Sequence, residues 1–133
     1  MLDTEKLAFI TKRSKAEFWP YPQTFEALKG AGVKTHEVWV ENFYSLYKNG
    51  SEEWVEPALP DFRPLKSTEE YNEEAFLKAL ARRINKETTY VGFLTEIAAA
   101  GIFYYKVDMD SRTVTYWNKD HTKSYVQHVP PVA

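Results

Sequence analysis

The chain has no cysteine, which excludes disulfides, thiol nucleophiles and cysteine-held zinc. Glycine is scarce, and its five copies form no phosphate-cradling loop, dinucleotide fingerprint or GxSxG elbow. Charge of one sign is also lacking. Seventeen Lys and Arg stand against nineteen Asp and Glu, interspersed, with no basic stripe suited to nucleic acid. No apolar run is long enough to span a bilayer, and Met1-Leu2-Asp3-Thr4-Glu5-Lys6 lacks the apolar stretch of a secretion signal. A cytoplasmic protein without membrane contact is the expectation. The histidines His36, His121 and His128 share no ligand spacing, and Asp108-Met109-Asp110 lacks the glycine and terminal glutamate of a calcium loop. No metal and no cofactor are therefore expected.

What the chain has in quantity is aromatic side chains: nine Tyr, eight Phe and four Trp, the residues that suit half-buried sheet surfaces. Apolar spacing predicts a helix from a cap at Asp3 or Thr4 to Ala16, with Leu7, Ile10 and Phe9 inward. Phe18-Trp19-Pro20-Tyr21-Pro22 must then leave helical geometry and fold over the core as a lid. Thr24 caps a short helix over 25–29, closed by Gly30 or Gly32. Strands follow over 33–40, 43–47 and 53–56, the second and third joined at Asn49-Gly50. The stretch 57–66 holds three prolines and reads as a connector, which we extend to 57–71.

Ser67 with Glu70 forms a capping box, with Asn72 as a competing start, for a helix whose inward face is Phe76, Ala79, Leu80 and Ile84. Thr88 or Thr89 caps the next helix, with Phe93, Leu94, Ile97 and Ala98 inward and Gly101 after it. Phe103, Tyr105, Val107 and Met109 then share one strand face, Asp110-Ser111 turns, and Val114 and Tyr116 return.

An offset of 69 residues aligns Gly32 with Gly101, Tyr21 with Tyr90, Leu28 with Ile97, Val38 with Val107 and Tyr47 with Tyr116. Turns at Glu41-Asn42 and Asp110-Ser111 set His36 against Tyr47 and Tyr105 against Tyr116, giving both hairpins one apolar side at equivalent positions. The expectation is a single α+β domain, 1–133, built from two α-α-β-β-β repeats (about 3–57 and 72–131). An antiparallel sheet with helices packed against it is expected, and of one sheet or two the six strands favour a single continuous one without deciding it.

The run Ala98-Ala99-Ala100-Gly101-Ile102, with Val107-Asp108 and Thr113-Val114-Thr115-Tyr116, resembles a family of small bacterial proteins carrying domain of unknown function 1398. Some of these proteins are labelled phage envelope proteins. The resemblance extends to Tyr90, Phe93, Gly32-Val33 and Pro130, and so covers most of the chain. It supports the fold and implies no activity.

Two functional readings follow. The first is a non-catalytic binding or interaction module that self-associates, with Trp39, Tyr44 and Trp117 as candidates for an interface or shallow pocket and Trp39 facing Tyr44 on the side of the front hairpin opposite Val38. The second is an enzyme or binding protein for a small molecule, with His36, Tyr47, Tyr105 and Tyr116 lining a pocket between the halves. The sequence identifies no catalytic residue. Arg82, Arg83 and Lys86 form a basic patch at a helix end, too small for a nucleic-acid surface.

Overall fold

A computed structural model describes residues 1–131; positions 132 and 133 of the expected domain lie outside that range. Asp3 caps the first helix, α1 (Thr4–Ala16), by accepting the Lys6 N–H at 3.1 Å. After it come α2 (Tyr21–Gly30) and three strands, β1 (Thr35–Trp39), β2 (Tyr44–Asn49) and β3 (Glu52–Val55). The order then recurs as α3 (Glu73–Ile84), α4 (Tyr90–Ala99), β4 (Ile102–Asp108), β5 (Thr113–Asn118) and β6 (Ser124–His128). The strands form one antiparallel sheet in the order β3-β2-β1-β4-β5-β6. Phe25, Leu28, Phe76, Leu94 and Ile97 of the helices pack with Val38, Tyr47, Tyr105, Val107 and Tyr116 of the sheet in one core. No helix among the described residues is long and apolar enough to cross a membrane.

The repeat is geometric as well as topological. β1 and β4 pair so that Glu37 lies opposite Lys106, its own counterpart 69 residues on. Only a twofold relation between the halves makes a position face its equivalent. Backbone bonds at the seam obey the same relation, Val40 N–H to Phe103 O at 2.9 Å and Met109 N–H to Lys34 O at 3.0 Å. Gly32 and Gly101 have φ of +96° and +95°, a conformation that favours glycine. Each is pressed on the backbone just ahead of the first helix of its half. The third strands break the offset. Tyr47 pairs with Trp54 and Tyr116 with Tyr125, so β3 and β6 match at 71, because the turn before β6 is two residues longer.

Several expectations need correction. α2 begins at Tyr21 rather than after Thr24, with Pro22 in its first turn, where a missing N–H costs no helical bond. Asn72, not Ser67, caps α3, accepting the Ala75 N–H at 3.0 Å; the Ser67 hydroxyl instead donates to the Ile102 carbonyl at 2.7 Å. Phe9 and Ile84 point outward, 55% and 63% exposed. β3 spans Glu52–Val55, one residue earlier than expected. A bulge between Ile102 and Tyr104 shifts the start of β4. Ile102, not Phe103, therefore joins Tyr105, Val107 and Met109 in the core.

Candidate functional site

Between the sheet and the helices lies a cavity of about 260 Å³. The strands contribute His36, Tyr47, Tyr105 and Tyr116 to its wall, the four residues singled out for a pocket between the halves. The helices add Lys15, Arg83 and Tyr90, and the segment from Phe18 to Pro22, which runs into the start of α2, also lines it. Trp39, Tyr44 and Trp117 lie on the other side of the sheet. There Trp39 packs on Tyr44 and Tyr104, with ring centroids 5.4 and 4.9 Å away, and Trp117, Tyr104 and His121 form a mutually contacting trio of rings with centroids 5.4–5.7 Å apart. Tyr44 is 42% exposed. The two residue sets thus belong to separate surfaces.

His36 is held by two neighbours on its own hairpin. Its ring stacks on Tyr47, with centroids 3.9 Å apart and planes 8° from parallel. Its Nε2 lies 2.8 Å from Ser45 Oγ. The Ser45 hydroxyl donates to Glu56 Oε1 at 3.1 Å, and Tyr47 donates to the same oxygen at 2.9 Å. Lys15 Nζ holds the other carboxylate oxygen at 2.8 Å. Because the serine proton is committed to Glu56, Ser45 offers a lone pair to His36, and Nε2 must carry the imidazole proton. Nδ1 is left as a bare acceptor. Burial, with Lys15 nearby, lowers the His36 pKa to about 3, so the ring is neutral at ordinary pH.

The rear half repeats this frame with different chemistry. Tyr105 occupies the position of His36, Val114 that of Ser45, and Gln127 that of Glu56, accepting from the Tyr116 hydroxyl at 3.0 Å. Tyr90 and Tyr105 are joined hydroxyl to hydroxyl at 2.5 Å. The front counterparts of that bonded pair are Tyr21 and His36. Among the described residues, Tyr21 Oη and His36 Nδ1 are the two buried side-chain polar atoms without a hydrogen-bond partner. An imidazole does not reach as far as a phenol, so the bond made in the rear half has no equivalent in the front. Burial pushes the Tyr21, Tyr90, Tyr105 and Tyr116 hydroxyls upward in pKa, and they stay protonated.

The lowered pKa of His36 has a measurable consequence. Above pH 6.5 neither folded nor unfolded chain protonates this ring; below it only the unfolded chain does, so stability falls with falling pH. Between pH 6 and 5 the loss should approach about 1.4 kcal/mol per unit. Urea unfolding at pH 7, 6 and 5 measures it, and the double variant His36→Tyr/Ser45→Val should lack this contribution. An unchanged slope in that variant would show that His36 is not its source.

Sequence reasoning found the four strand residues and missed Tyr21, Tyr90, Ser45, Glu56, Lys15 and Arg83. Tyr21 and Tyr90 did carry a signal, since they match at the repeat offset. No group of three or more His, Asp or Glu side chains suited to a metal ion occurs among the described residues.

Residues 6–128 match the family described as "Protein of unknown function (DUF1398)", and the chain belongs to that family. It is also similar to uncharacterized proteins of Mycobacterium tuberculosis (strain H37Rv) and Mycobacterium bovis (strain AF2122/97). Each is 27% identical over 112 residues, covering 84% of this chain and 68% of the relative.

Proposed function

We propose that this member of the family binds a small ring-shaped molecule carrying a hydroxyl group, in the cavity between its halves. The carrying observation is the two unpaired buried atoms Tyr21 Oη and His36 Nδ1, on residues that line a largely apolar, aromatic-rich cavity. A buried polar atom left unpaired costs about 1–3 kcal/mol. A ligand hydroxyl admitted beside them would find an acceptor in His36 Nδ1 and a donor in the Tyr21 hydroxyl. A cavity of roughly 150 Å³ holds benzene, so about 260 Å³ admits a substituted ring.

The same geometry favours binding over hydrolysis. In a nucleophilic triad the serine gives its proton to histidine; here Ser45 gives it to Glu56, and Ser45 is fully buried. A histidine with a pKa of about 3 is a poor base and a good neutral acceptor.

The test copies the rear half into the front. His36→Tyr/Ser45→Val reproduces the Tyr105 and Val114 pair, and Tyr21 should then bond the new phenol as Tyr90 bonds Tyr105. Phenol, titrated by calorimetry, should bind the natural protein and lose at least tenfold in affinity for the double variant, which should be no less stable. Equal phenol binding by both proteins would overturn the proposal.

A further inference from the structure

Arg83 sits in the last turn of α3, half-buried on the cavity wall. Its guanidinium lies over the rings of Tyr90 and Phe18, 5.7 and 6.0 Å from their centroids. Its one hydrogen bond among the described residues goes from Nη1 to the Thr88 carbonyl at 3.2 Å. Other arginines and the partly buried Lys15 are matched: Arg82 has Glu96, Arg13 has Glu17, Arg112 has Glu26 and Lys15 has Glu56. No carboxylate among the described residues pairs with Arg83. A charge withdrawn from water without a counterion is unfavourable, and burial accordingly draws the Arg83 pKa down. The planar guanidinium keeps several donors in the fork geometry that fits a carboxylate.

Resting on the cavity reading above, we infer that the ligand is a small hydroxylated aromatic carboxylic acid, its carboxylate held by Arg83 and its hydroxyl by His36 and Tyr21. The Tyr90–Tyr105 pair links the two ends. Tyr90 lies under Arg83, its hydroxyl meets that of Tyr105, and the Tyr105 ring stands edge-on to His36 at 6.2 Å. The aromatic lining accepts the body of such a molecule, and the two polar contacts fix its direction. Lys86, also on the wall, adds positive charge at the same end of α3.

Calorimetric titration of the full chain with phenol, 4-hydroxybenzoate and 4-hydroxybenzamide tests this. The acid should bind at least tenfold more tightly than phenol, and the neutral amide, of nearly the same shape, should lose that advantage. Arg83→Met should abolish the difference in affinity between the acid and the amide. Equal affinities for acid and amide in the natural protein would overturn the inference, whatever the variant does. Phenol binding with no gain for the acid would sink the carboxylate and leave the cavity reading standing. Silence from all three probes would sink both.

Discussion

Glu56→Ala should lower the unfolding free energy by about 3 kcal/mol, because breaking a buried ion pair strands the partner charge. The carboxylate is only 6% exposed and accepts from three groups: the Ser45 hydroxyl, the Tyr47 hydroxyl and the Lys15 ammonium. Alanine leaves the Tyr47 and Ser45 protons without their acceptor inside the core, although Ser45 Oγ still accepts from His36. The Lys15 side chain is 21% exposed and can turn toward water, which holds the cost near the lower end of the range. Glu56→Gln should cost less, about 1–2 kcal/mol, since it removes only the charge-assisted contact. The rear half already shows an amide in this place, with Gln127 accepting from Tyr116. Urea denaturation at pH 7 separates the two variants. Equal losses would mean that the hydroxyl contacts contribute nothing.

The second large effect belongs to Gly101→Ala, expected to cost about 3 kcal/mol or more by combining a left-handed backbone with a steric clash. A Cβ there would stand 2.6 Å from the Glu70 carbonyl oxygen and 2.8 Å from Tyr71 Cα. Both are backbone atoms and cannot swing aside. The adjoining segment is also fixed by the Asn72 N–H to Ala100 O bond at 2.8 Å, which sets where α3 starts. Gly30→Ala is the matched control. Nothing lies within 4 Å of its missing Cβ, and it closes α2. That change should be neutral or raise stability by up to about 1 kcal/mol. Comparable losses at both glycines would refute the role of close approach at Gly101.

Much of the architecture was readable before any coordinates. Period-two alternation against a turn placed His36 opposite Tyr47 and Tyr105 opposite Tyr116, and the sheet has those pairs. The misreadings have local causes. Proline in a first helical turn looks the same in sequence as proline that ends a helix, which hid the start of α2. A bulge shifts the side-chain alternation by one residue without any marker in composition, which moved Phe103 out of line. Ser67 has the spacing of a capping box but was drawn instead to the Ile102 carbonyl, a tertiary partner no local rule reveals.

The site was half legible for a similar reason. Strand residues follow the repeat offset, so His36 and the three tyrosines emerged together. Glu56 did not, because the longer turn before β6 displaces Gln127 from the 69-residue match. Arg83 read as surface charge, since helical periodicity says nothing of a segment arriving from elsewhere in the chain. The sequence favoured an interaction module over a pocket; the unpaired atoms of Tyr21 and His36 reverse that order in the proposal made here.

The facing of Glu37 and Lys106 bears on assembly. A ribbon that meets its own likeness across a dyad uses up both inner borders at once, leaving none to recruit a further copy. Growth by addition can occur only at the outer margins, β3 and β6, which are four and five residues long. Glu52 and Glu53 put charge on the β3 margin, which disfavours its pairing with a second copy of the same strand.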